Sequence, residues 1–265
     1  MHDPALITGA ELFPDLTPNV FMVGRKRSGK TNVVISTIIR SAGPATKVMI
    51  FSSTVNSDPN WAEAKEMFEE MGIVYETFTS ITEGKTNHLA ELCEYLEAPL
   101  EQESDSDADP SDIGIEIAMD GKTPEEEEAE REPETDAEPE KLAPRFIIVI
   151  DDLSTELKDP QVASLMKRNR HFGVEMLVGS QNYKDLIGTG ARDQINYMLL
   201  WKGIRVSLLR EIHAEKGPPF DFETFLAMYT AATGSPEEPH QFLYCGIRDD
   251  DYRIGFSMRF KLHGN

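Results

Sequence analysis

The stretch FMVGRKRSGKTNVV (Phe21–Val34) joins an apolar run to a helix-forming one through a basic loop bounded by Gly24 and Gly29. Gly24, Gly29, Lys30 and Thr31 meet the pattern G-x-x-x-x-G-K-[ST] at every fixed position. Its physics is specific: glycines let backbone N–H groups curl around phosphate oxygens, and the start of the following helix adds partial positive charge. The lysine then reaches the outer phosphates and the hydroxyl ligates Mg²⁺. Asn19–Gly24 predicts a buried strand and the segment from Lys30 to Ser41 a helix, the context that the pattern requires. Gly24, Ser28, Gly29, Lys30, Thr31 and Asn32 are therefore candidates to bind ATP, with Thr31 on Mg²⁺. Arg25, Lys26 and Arg27 form either a solvated basic tip or a contact with nucleotide or a neighbouring subunit.

Outward from the loop, short apolar runs alternate with helical patterns. Strands are predicted at Lys47–Ser53, at IVYETF (73–78), at Arg145–Ser154, at Val174–Ser180 and at Asn196–Lys202. Helices are predicted after Pro59, near 87–97 and over about 160–167. Leu89, Leu92, Cys93 and Leu96 follow a helical stripe, which places Cys93 in a core. Two further β segments, HQFLYCGI and YRIGFSMRF, close the chain, with RDDDY as the turn between them. The alternation predicts an α/β fold with a mainly parallel sheet flanked by helices and a C-terminal β pair.

A nucleotide site needs an acid at the end of a buried strand, and FIIVIDD supplies two. Asp151 can organise Mg²⁺ through its water shell and Asp152 can polarise the attacking water; the plain alternative is a cap for the next helix. Gln181, after the strand VEMLVGS, can reach the γ-phosphate. Arg170 and Arg192 are candidates for an arginine offered to a neighbouring subunit's nucleotide, the alternative for each being a surface salt bridge.

The formal charge of −21 is concentrated: residues 101–140 hold 18 of the 47 acidic and 2 of the 26 basic residues, so the other 225 residues carry only −5. So acidic, proline-rich and apolar-poor a segment predicts a disordered insertion at about 101–141 within a single domain spanning 1–265. Its short IGIEIAM run can dock as a strand or as a recognition segment. No run approaches the roughly 18 apolar residues of a membrane span, and the start MHDPALITGAELFPD lacks the basic and apolar regions of a leader. A soluble, unexported protein with no membrane partner is expected. Two cysteines without metal-ligand spacing suit a reducing compartment. Arg253, Arg259 and Lys261, alternating along the last strand, form either a basic face for DNA phosphates or a charged edge.

The loop GRKRSGKTN, the FSST after the second strand followed by D-P-x-W, the VIDDLS strand end and RHFGVEMLVGSQNY…R…N, in that order, resemble the poxvirus-type DNA-packaging ATPases of the FtsK/HerA superfamily. The resemblance covers nearly all the chain outside 100–142. It implies a RecA-like (ASCE) P-loop NTPase fold, Lys30 and Thr31 on nucleotide and Mg²⁺, Asp151 as metal-organising acid, Asp152 at the catalytic-base position and Gln181 as sensor. The Arg192–Asn196 pair resembles the basic-to-Asn element after the sensor strand. The implied function is an ATP-driven motor that moves double-stranded DNA into a viral capsid. It would act as a homo-oligomeric ring, hexamer or pentamer, in the infected cell (cytoplasm or nucleus) or the virion, with a capsid protein as candidate partner. Asp152 departs from the Glu usual in cellular members, and the acidic insertion is no part of the shared core. The rival readings are a HerA/FtsK-like cellular or plasmid translocase and an ATP-binding scaffold with weak hydrolysis.

Overall fold

Asn19–Val23 forms strand β1, buried at all five positions. Strand alternation lets this apolar run serve two cores: Val20 and Met22 point to one side of the sheet, Phe21 and Val23 to the other. The computed structural model describes residues 3–98, 141–186 and 190–261. The expected acidic insertion, with its IGIEIAM run, lies outside these residues except for Lys141. In chain order β1 is followed by α1 (Lys30–Ser41), β2 (Lys47–Ser52), α2 (Pro59–Glu70), β3 (Val74–Phe78), a small hairpin of β4 (Thr82–Glu83) and β5 (Thr86–Asn87), and α3 (His88–Glu97). Then come β6 (Phe146–Asp151), α4 (Pro160–Phe172), β7 (Val174–Ser180), β8 (Tyr197–Trp201), α5 (Val206–Lys216), α6 (Phe222–Thr233), β9 (Phe242–Gly246), β10 (Asp251–Ile254) and β11 (Met258–Arg259).

The main sheet has nine strands in the order β11-β10-β9-β8-β1-β7-β6-β2-β3. Neighbours from β8 to β3 run parallel, and β9, β10 and β11 extend the β8 side antiparallel. Parallel neighbours require crossovers, and the helices supply them on both faces. Val34 and Ile38 of α1 and Trp61, Ala64 and Phe68 of α2 pack with Leu12 and Phe13 on one face. The buried stripes of α3, α4, α5 and α6 cover the other, Cys93 among them. β1 therefore lies between β7 and β8, with β7 separating it from β6. Chain reversals of this kind bring loops together at the carboxyl ends of the strands.

Local signals set the helix ends. Asp58 accepts the Asn60 N–H at 2.9 Å with Pro59 at the first position of α2, and Asp159 accepts that of Gln161 at 2.8 Å ahead of Pro160. The helix expected at 160–167 continues to Phe172, where Gly173 at φ 66° ends it. Residues 203–239, for which no element was expected, hold α5 and α6. Asp221 caps α6 through the Thr224 N–H at 2.8 Å, and Phe222, Phe225, Tyr229 and Ala232 share its buried side, so this signal was present in the sequence.

The chain's last segment differs from expectation. It is not one strand: Gly255, at φ 57°, turns it back, so that Arg253 faces Arg259 across β10 and β11. Both arginines bond the Asp251 carboxylate, Arg253 Nε at 2.8 Å and Arg259 Nη2 at 2.7 Å. Two of the three cations of the expected basic face, Arg253 and Arg259 but not Lys261, are thereby drawn onto one carboxylate. The turn between β9 and β10 spans Ile247–Asp250, as RDDDY predicted.

Candidate functional site

Three loops leave the carboxyl ends of β1, β6 and β7 and bond to one another. The Gly24 N–H donates to the Ser180 carbonyl at 3.1 Å, and the Asp152 N–H to that of Gly179 at 3.2 Å. Gly24 is needed because a Cβ there would stand 2.6 Å from Ser28 Oγ, and Gly29 because its φ of 98° is the left-handed turn that opens α1. Lys30 folds back over the loop, donating to the carbonyls of Gly24 (2.8 Å) and Arg25 (3.3 Å). An ammonium has three N–H groups, so one is left for a further oxygen. Burial holds the Lys30 pKa below its ordinary value, while the charges of Asp151 and Asp152 pull it upward.

The Thr31 hydroxyl donates to Asp151 Oδ2 at 2.9 Å across 120 residues of sequence. Asp151 is buried and its Oδ1 has no hydrogen-bond partner among the described residues. Burial pushes its carboxyl pKa up against the pull of Thr31 and Lys30. A buried carboxylate oxygen without a partner costs free energy that a cation would repay, so the pair fits Mg²⁺. No group of three or more His, Cys, Asp or Glu among the described residues is arranged to hold a metal alone. That suits an ion that takes one or two protein oxygens and completes its shell with phosphates and water. Gly179, beside Asp151 in the next strand, leaves the needed room: a Cβ there would stand 2.5 Å from Oδ1.

Asp152 has φ 59°, left-handed backbone that Asp tolerates better than most side chains. Gln181 Nε2 donates to its Oδ1 at 2.8 Å. Since β7 lies between β1 and β6, Gln181 stands between the glycine loop and the acidic strand end. The structure thus brings Lys30, Thr31, Asp151, Asp152 and Gln181 together. A cleft of about 270 Å³ runs along the start of α1, lined by residues 27 to 32, Asp58, Asn60 and His240.

The arginines do not join them. Arg170 is exposed on the last turn of α4, just before β7 begins, at the opposite end of the parallel strands. Arg192 stacks over the Tyr183 ring at 5.0 Å and pairs with Glu215 at 3.4 Å, in the manner of the plain salt-bridge alternative. Asn196 is buried at the start of β8, where its Oδ1 accepts the Asn19 N–H at 2.8 Å, a structural task far from the loop.

Sequence reasoning missed Asp58 as a wall of the cleft, and also His240. His240 Nδ1 donates to the Ser28 carbonyl at 3.3 Å, and its own carbonyl accepts the Trp201 indole N–H at 2.9 Å. No local pattern marks a lone histidine in the loop before β9; only the antiparallel return of β9 beside β8 carries it to Gly29.

Fold and site define an α/β protein with a large, mostly parallel central sheet, of the Rossmann/RecA-like kind, whose strand ends converge on a basic, glycine-bounded loop. Comparison with protein-family models finds no match, and no curated protein matches the chain significantly. Among the described residues, no helix is long and apolar enough to cross a membrane.

Proposed function

We propose that this chain is a Mg²⁺-dependent P-loop ATPase whose hydrolysis drives movement of double-stranded DNA, in the packaging of a viral genome. The observation that carries the ATPase reading is the Thr31–Asp151 hydrogen bond, which joins the glycine loop to the acidic strand end beside the Asp152–Gln181 pair. The DNA-packaging part rests on the motif order and its resemblance to the packaging ATPases, and the ring assembly on the same ground.

In this reading the loop's backbone N–H groups and Lys30 hold the phosphates. Thr31 and Asp151 would hold Mg²⁺, which when bound neutralises charge on the β- and γ-phosphoryl oxygens. Asp152 accepts a proton from the water that attacks the γ-phosphorus, and Gln181 orients the Asp152 carboxylate through its amide. The left-handed backbone at Asp152 supports a functional role, because strain of this kind is retained chiefly where a site uses it. The same backbone favours Asp over the longer Glu at this position. Arg170, exposed at the far end of the strands, can act only in a neighbour's site; Arg192 is engaged within its own subunit.

The test is steady-state ATP hydrolysis by the purified chain, with and without long double-stranded DNA, recorded together with oligomer size. Hydrolysis is expected to rise with DNA and with assembly and to vanish in Lys30→Ala. A wild type that binds ATP and assembles, yet hydrolyses no faster than Lys30→Ala in the presence of DNA, would leave a nucleotide-binding scaffold.

A further inference from the structure

On the other flank of the glycine loop lies a second cleft, of about 200 Å³, lined by Val23, Gly24, Arg25, Gln181, Asn182, residues 202 to 205 and Leu208. Three of these residues are cationic, Arg25, Lys202 and Arg205, and none is a carboxylate. Several cations elsewhere in the fold, by contrast, lie against acids. Lys184 pairs with Glu211 at 2.7 Å, Arg192 with Glu215, and Arg259 with Asp251 at 2.7 Å. The side chains of Lys202 and Arg205 have no hydrogen bond or ion pair among the described residues, and Arg25 spends one N–H on the Gly203 carbonyl at 3.3 Å.

The backbone is shaped around these charges. Gly203 sits at φ 101°, and a Cβ there would stand 2.7 Å from Arg25 Nε, so the turn that carries Lys202 and Arg205 is held against the loop by Arg25. Arg205 is the N-cap residue of α5 and gives it no side-chain cap, so the first amides of an 11-residue helix add their positive end to the cleft. Three like charges converging without an acid repel one another unless an anion joins them.

We infer that this cleft is a second anion site, which binds a phosphate oxyanion distinct from those of the nucleotide in the loop. Calling it second rests on the reading of the loop as a phosphate cradle; its charge does not. Two sources share the chemistry: a phosphodiester of the DNA backbone, or inorganic phosphate leaving the neighbouring site past Gln181.

The experiment uses the full chain and the double variant Lys202→Ala/Arg205→Ala, both positions being exposed. Three probes are measured: a 30-base-pair DNA duplex by fluorescence anisotropy across salt concentration, inorganic phosphate by ³¹P line broadening, and a fluorescent ATP analogue. A Lys85→Ala/Lys158→Ala variant, with the same change in charge at exposed positions elsewhere, is the control. If DNA is the source, the double variant weakens duplex binding about tenfold or more at moderate salt and lowers the salt slope by about 2, while the control does neither. If free phosphate is the source, duplex binding is unchanged and the ³¹P broadening is lost. ATP-analogue affinity stays within about twofold in both cases. The inference is overturned if the wild type binds neither DNA nor phosphate, if the double variant binds both as the wild type does, if the control matches its losses, or if ATP-analogue binding falls in parallel. A wild type that fails to bind the ATP analogue sinks the nucleotide reading alone, since the other two probes still report on the cleft.

Discussion

Asp152 carries the most chemistry per atom at the site, and a single change separates its roles. Asn tolerates left-handed backbone about as well as Asp and keeps the Oδ1 that Gln181 bonds, but it cannot take a proton. Asp152→Asn is therefore expected to bind ATP and unfold like the wild type while losing about 10²-fold or more in hydrolysis rate. A rate within threefold of wild type, measured under saturating ATP, would remove Asp152 from the base role. Glu175 is a different kind of residue. It is buried on β7 opposite the α4 face, its Oε1 has no partner among the described residues, and burial pushes its pKa from 4.5 to about 8 against the opposing pull of the Ser41 hydroxyl. The folded chain thus holds a proton that the unfolded chain releases above about pH 4.5. Stability from this group is full below that pH and is lost progressively as pH rises through about 8, by up to a few kcal/mol. Glu175→Gln, which stays neutral, is expected to melt higher than wild type at pH 9 and to flatten the profile between pH 5 and 9. An unchanged profile in thermal melts would show that the carboxylate is satisfied when ionised. Nothing around VEMLVGS announces a neutral acid, because its neighbour Ser41 comes from a distant part of the chain.

At the scale of elements, capping explains why helices lie where they do. Asp58-Pro59 and Asp159-Pro160 were readable as helix starts, because a carboxylate and a pre-set φ act within three residues. The far end of α4 lies five residues beyond the expected stop, because the added turn, Arg168–Phe172, holds a single apolar residue to mark it. Gly173 ends the helix in left-handed backbone, and a Cβ there would stand 3.1 Å from the Cβ of Arg145. Gly173→Ala is accordingly expected to cost about 1–2 kcal/mol in urea denaturation while leaving ATP binding intact, since this end of α4 lies away from the loop. α5 and α6 escaped detection for opposite reasons. Only Leu208, Leu209 and Ile212 of α5 are buried, too sparse a stripe to stand out, whereas α6 shows both cap and stripe.

For the whole molecule, charge is distributed so unevenly that one deletion tests its effect. Removing residues 101–140 takes the formal charge from −21 to −5. At about 50 mM salt the shortened chain is expected to bind DNA several-fold more tightly than the full chain, with the difference vanishing as screening shortens the reach of charge near 0.5 M. Its thermal transition is expected to stay cooperative; equal DNA binding at every salt concentration would show that the acidic stretch exerts no net field on the DNA-binding surface. The parallel sheet, the glycine loop, the two aspartates and Gln181 were all open to a reading of the chain alone. Each is a matter of contiguous residues: apolar runs that form buried strands, glycines that allow a tight turn, and polar groups at the points where those runs stop. Strand order was not, nor were the roles that depend on it. Asn196 as a buried clasp for β1, Arg192 tied to Glu215, His240 over Gly29 and the carboxylate-free cleft beside Arg25 all join residues distant in sequence. Such pairings are set by which strands lie side by side, and that order minimises exposed apolar surface over the entire chain, so no local window contains it.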